Sequence, residues 1–127
     1  MLTGLAQVFL LVSNLARSVR FYRELLERAP ASEDARHVRF DLGPISLIIH
    51  EDLMPAETSI WRLDPMPERR GWGVYLTFPT VDLEGTYAKL TRIGAEILTT
   101  PRSTPWGDVM FIVKDPDGYL LEISRRR

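Results

Sequence analysis

The sequence predicts an α+β fold in which one strand-helix-strand-strand unit occurs twice. Three observations carry this: short apolar runs of strand length, two stretches of helical apolar spacing that each follow a capping residue, and the return of the same order after a proline-rich break. At 127 residues the chain suits a single domain able to bury a core without staples.

Gln7 to Val12 is a short apolar run that reads as a buried strand, with Gln7, Phe9 and Leu11 on one face and Val8, Leu10 and Val12 on the other. Asn14 is a suitable N-cap. Leu15, Val19, Tyr22 and Leu26 then recur at helical spacing, and the helix should end before Pro30. His37 to Leu42 and Ile45 to His50 follow as two strands joined through Gly43-Pro44. From Glu51 to Gly71 the pattern dissolves among Pro55, Pro65 and Pro67, which predicts a linker in which Trp61 either folds over a pocket or anchors the loop.

After the linker the order repeats. Val74 to Phe78 is a strand, Asp82 a cap, and Leu83, Tyr87 and Leu90 form a helical stripe that ends near Gly94. Ala95 to Thr99 is a short strand. The segment WGDVMFIVKDPDGYLLEIS, Trp106 to Ser124, is a hairpin turned by Asp115-Pro116-Asp117-Gly118, with Glu122 facing away from Leu121 and Ile123. Aligning the caps sets Gln7 opposite Tyr75, and aligning the turn glycines sets Leu47 opposite Glu122. The expected organisation is one domain, 1–127, with module 1 at about 5–51, a linker at about 52–71 and module 2 at about 72–125.

Composition excludes several classes of partner. A net charge of −1 gives no electrostatic reason to bind nucleic acid or an anionic membrane, and the closing Arg125-Arg126-Arg127 reads as a solvated tail. Without cysteine there is no disulfide framework, thiolate metal site or thiol nucleophile. The N-terminal MLTGLAQVFLLV lacks the marks of a signal peptide, and no apolar run reaches membrane-spanning length, so the expected location is the cytoplasm.

VFLLVSNLARSVRFYRELL, VYLTFPTVDLEGTYAKLTRIGAEI and PWGDVMFIVKDPDGYLLEI together resemble the vicinal oxygen chelate superfamily, which includes glyoxalase I, bleomycin-resistance proteins and extradiol dioxygenases. The resemblance implies two βαβββ modules that form an incomplete barrel around a cavity, usually completed in a homodimer. It also implies four metal positions, which map here onto Gln7, Leu47, Tyr75 and Glu122. Glu122 matches the family pattern, and Gln7 replaces the commoner histidine, as in some glyoxalase I enzymes. Leu47 has no donor atom and Tyr75 is a poor substitute, so two good ligands remain for a divalent ion.

The candidate ligand-binding residues are therefore Gln7, Phe9, Leu47, Tyr75, Trp61, Trp72, Trp106 and Glu122. The tryptophans either frame a flat guest or sit in a core or dimer interface; Trp106-Gly107 is common at the cavity mouth in this family. His37 and His50 fall on no mapped position and are expected at the surface or at strand ends, although a shifted register would turn His50 toward the cavity. Arg62, Arg69, Arg70 and Arg102 read as solvated loop residues that an anionic ligand would also suit. With this donor set the resemblance implies a homodimeric binding protein of the bleomycin-resistance type that sequesters a small aromatic or cationic molecule without a cofactor. The alternative is a metal-dependent lyase, isomerase or dioxygenase that uses Gln7 and Glu122, with Glu122 as ligand or general base. A third possibility is an interaction module with a filled barrel.

Overall fold

The structure is a computed structural model and describes residues 1–126. The described residues divide into two compact units after Pro67, and no helix among them is long and apolar enough to cross a membrane. The predicted α+β class is what they form: three helices and two sheets.

The first unit contains β1 (Gln7–Val12), α1 (Leu15–Leu26), β2 (Ser32–Glu33), β3 (His37–Leu42), β4 (Ile45–Glu51) and α2 (Pro55–Trp61). Its sheet has the order β1-β4-β3-β2, so the first strand lies parallel to the last. Asn14 begins α1 as expected, its side-chain oxygen accepting the Arg17 N–H at 3.0 Å. Gly43, at φ 84°, lets β3 return into β4 through two residues, in a conformation that a Cβ disfavours. Leu10, Val12, Val38, Phe40, Leu47 and Ile49 are all buried on one sheet face, and α1, which packs near β4, buries Phe21 and Tyr22. Each such fully buried side chain contributes about 1.5–3 kcal/mol.

The second unit repeats the plan with β5 (Tyr75–Pro79), α3 (Leu83–Arg92), β6 (Glu96–Ile97), β7 (Arg102–Ser103), β8 (Asp108–Lys114) and β9 (Leu120–Arg126). Its sheet runs β5-β9-β8-β6, again with first and last strands parallel. β6 and β7 are two pieces of one edge, both antiparallel to β8, and between them Thr99 Oγ1 accepts the Ile112 N–H at 3.1 Å. Asp82 caps α3 through a 2.9 Å bond from the Gly85 N–H. Leu83 and Leu90 of α3 are buried, as are Phe111, Val113, Leu121 and Ile123 of the sheet, and Tyr87 meets Phe111 edge-on at 5.2 Å.

The turn Asp115 to Tyr119 is tied from within. Asp115 Oδ1 accepts the N–H groups of Asp117 and Tyr119 at 2.9 and 3.0 Å, and Gly118 takes φ 94°. Arg70 lies against it with Nη1 4.0 Å from Asp117 Oδ1, both side chains buried. Arg70 is thus no solvated loop residue. Its non-local carboxylate partner has no counterpart in local sequence pattern.

Two further expectations change. Residues 52–71 include the helix α2, and Arg36 holds it to the first unit by donating to both Glu57 oxygens, at 3.0 and 2.7 Å, and to Glu51 at 2.6 Å. Arg125 belongs to β9 and pairs with Glu84 at 2.8 Å, while Arg127, the end of the expected tail, lies outside the described residues.

Candidate functional site

Each sheet has one face buried with its helix and one largely open face, and alternation along the strands decides which side chains occupy the open one. In the first unit Gln7 pairs with Ser46, Phe9 with Ile48 and Leu11 with His50. β3 adds Asp41, Arg39 and His37 to the same three rows. Gln7 and Phe9 are exposed, Phe9 at 47 %. Their face also carries a network of short polar contacts: Ser46 donates to Asp41 Oδ1 at 3.0 Å, and Arg39 Nε lies 3.1 Å from the same oxygen.

Leu47 is not among these residues. It pairs with Val8 and Phe40, is 2 % exposed, and belongs to the buried face. The turn-glycine alignment crosses connections of different length, two residues after Leu42 and five after Lys114, and a one-residue slip moves a strand side chain to the opposite face. Counting from the parallel partner gives the correct equivalence. Tyr75 pairs with Leu120 as Gln7 pairs with Ser46, so the counterpart of Glu122 is Ile48. The same slip turns His50 onto the face of Gln7, where its ring lies 5.2 Å from that of Phe9 and 6.0 Å from that of His37.

In the second unit the open face carries Tyr75, Thr77 and Pro79 of β5, all exposed, beside Leu120, Glu122 and Ser124 of β9. Ile112 of β8 pairs with Glu122 on its other side. Glu122 is partly buried, and its Oε2 accepts the Thr77 hydroxyl at 3.0 Å. Thr77 is a site residue that sequence reading passed over; its place two positions after Tyr75 on a strand of period two was the available signal. The tryptophans are all at the surface, Trp61 at 69 %, Trp72 at 86 % and Trp106 at 71 % exposure, so none fills a core. Trp61 ends α2, Trp72 precedes β5, and Trp106 lies in a turn closed by the Gly107 N–H on the Thr104 carbonyl at 3.2 Å.

A divalent metal is the group that the resemblance implies, and the donors do not fit it well. The first unit offers the Gln7 amide, with Ile48 standing where the second unit has Glu122. The second unit offers Glu122 and the Tyr75 phenol. His50 lies four residues along β4 from the row of Gln7, about 13 Å at strand rise, too far to join a shell with it. Among the described residues no three His, Cys, Asp or Glu side chains gather at one point. Hard and borderline divalent ions want more oxygen or imidazole ligands than this.

Residues 4–123 match the family model described as Glyoxalase/Bleomycin resistance protein/Dioxygenase superfamily. A relative named Virulence protein STM3117, from Salmonella typhimurium, is 25% identical over 119 residues, which cover 91% of this chain and 79% of that protein. Among solved structures, a glyoxalase-related enzyme from Fulvimarina pelagi superposes with a TM-score of 0.84 at 22% identity, over 98% of this chain and 89% of that one. A glyoxalase/bleomycin resistance protein/dioxygenase family enzyme from Burkholderia phytofirmans PsJN gives 0.83 at 14% identity, over 98% of this chain and 100% of that one.

Proposed function

This chain belongs to the Glyoxalase/Bleomycin resistance protein/Dioxygenase superfamily, and from that premise we propose that it is a small-molecule-binding protein of the bleomycin-resistance type. The observation that supports the reading is the register of β1 on β4, which sets Ile48, with no donor atom, in the position equivalent to Glu122. The remaining polar contacts suit an organic guest. Glu122, oriented by Thr77, offers a carboxylate to a cation, while Phe9 and Tyr75 offer exposed aromatic surface on their respective faces. The homodimeric, cytoplasmic setting expected from the sequence belongs to the same proposal.

The test combines elemental analysis with titration. Protein purified without chelator is analysed for nickel, zinc, iron and manganese, as wild type and as Glu122→Gln. Planar aromatic cations, led by acridine orange, are then titrated against tryptophan fluorescence. The expected result is saturable dye binding that weakens roughly tenfold or more in Glu122→Gln, the scale of a hydrogen bond to a charged group. Unaltered affinity in the variant removes Glu122 from the site. A stoichiometric metal that is lost in Glu122→Gln favours the metal-dependent enzyme and overturns the proposal.

A further inference from the structure

Three rows of side chains cross the open face of the first sheet: Gln7, Ser46 and Asp41; Phe9, Ile48 and Arg39; Leu11, His50 and His37. β2 sets Ser32 beside Arg39 at the end of the middle row. Asp41 is the one acid in these rows, and it is the counter-charge of Arg39. Arg39 Nε lies 3.1 Å from Asp41 Oδ1, an oxygen that also accepts the Ser46 hydroxyl at 3.0 Å. That nitrogen is buried and makes no hydrogen bond, so the contact is an ion pair out of line with the N–H.

Arg36, on the same strand side of the unit, is different. All three of its guanidinium nitrogens donate to Glu51 and Glu57. The terminal nitrogens of Arg39, by contrast, have no acceptor among the described residues. The Arg39 side chain is 43% exposed although its Nε is buried, so the exposed surface belongs to the stem and the terminal nitrogens. A guanidinium held at Nε and open at its terminal pair presents the fork that a carboxylate takes with both oxygens.

The rest of the middle row is apolar. Ile48 is buried between Arg39 and the exposed Phe9, and the His50 ring borders Phe9 at 5.2 Å with a tilt of 31°. Phe9 and Arg39 stand two strands apart, about 10 Å between their Cα atoms, a span that suits a flat ring bearing a carboxylate at its edge. Acetate or phosphate would satisfy the fork and leave Phe9 wet, and a neutral aromatic molecule would do the reverse. We infer that the open face of the first unit is a binding site for an aromatic monocarboxylate. Arg39 takes the carboxylate, and the ring lies over Ile48 against Phe9 and His50. Asp41 is a positioning residue for Arg39, and its own charge disfavours a dianion beside it. The site uses neither Glu122 nor a cationic guest, so it goes beyond the function proposed above.

The test is an NMR titration of isotope-labelled protein with naphthoate, with naphthalenemethanol, acetate and inorganic phosphate as controls. Naphthoate is expected to bind saturably, at least tenfold tighter than any control, and to shift amide signals of β1, β3 and β4 before others. Arg39→Gln should weaken it about tenfold or more, and Arg39→Lys should recover only part of the loss, because an ammonium forms no fork. The wild-type shift map decides the matter even where a variant does not fold. Absence of saturable naphthoate binding, equal affinity for naphthalenemethanol or phosphate, unaltered affinity in folded Arg39→Gln, or shifts confined to other strands would overturn the assignment. The outcome is separate from the dye titration, since the probe carries the opposite charge and Arg39 lies outside the second unit.

Discussion

Gly71 takes φ 74°, and a Cβ there would lie 2.4 Å from Cδ1 of Tyr119 and 3.2 Å from its Cα. Both the backbone conformation and the space demand glycine, next to the buried Arg70 that meets Asp117. Gly71→Ala should therefore destabilise the protein by about 1 kcal/mol or more, read as a lower urea midpoint with unchanged slope. Little of this was legible from the sequence, because it rests on contact between segments far apart in the chain. That Gln7 and Glu122 lie on the open sheet faces was legible, since strand alternation sets both apart from their buried apolar neighbours. Leu47 and His50 exchanged faces because alternation is legible only up to a register, and a turn glycine is a poor origin for counting. The pairing of β1 with β4 is a better origin, and it becomes visible only in the fold.

At the scale of the element, α2 is the one helix that the apolar pattern does not announce. It buries no side chain, its apolar residues Ile60 and Trp61 are exposed, and Met54 stands at its cap. Glu57 stabilises its start by accepting the Met54 N–H at 2.9 Å while both of its oxygens meet Arg36. First the Arg36 bonds and then the Met54 bond hold the Glu57 carboxyl down to about 2. A depressed carboxyl adds stability above its unfolded value, 4.5 as reference, and the benefit is lost as pH falls toward about 2. Wild type should accordingly lose more melting temperature than Glu57→Gln over that interval, measured by thermal unfolding in a pH series. Identical pH dependence in the two proteins would show that Arg36 does not couple α2 to the unit. α1 and α3, by contrast, each carry an Asx cap and a buried apolar stripe, and both were legible at the expected places.

At the scale of the molecule, the repeated order of elements was the most legible property, because apolar period and capping are local and each recurs. In both units the first strand finds its partner in the last, parallel and across an intervening helix. Parallel pairing of distant segments carries a loop-closure cost that a hairpin avoids. The β3–β4 hairpin should therefore be structured in the folding transition state before β1 joins it. Gly43→Ala in the hairpin turn should slow folding, whereas Leu10→Ala in β1 should mainly speed unfolding. Chevron plots of the two variants check this, and an equal loss of folding rate in both would contradict it. The consequence reaches back to synthesis. VFLLV leaves the ribosome ahead of nearly everything it will touch, and its edge stays bare until residue 51 has followed. At ordinary elongation rates that is a delay of about two to eight seconds, during which this sticky segment is open to chaperones, or to the same segment on a neighbouring nascent chain.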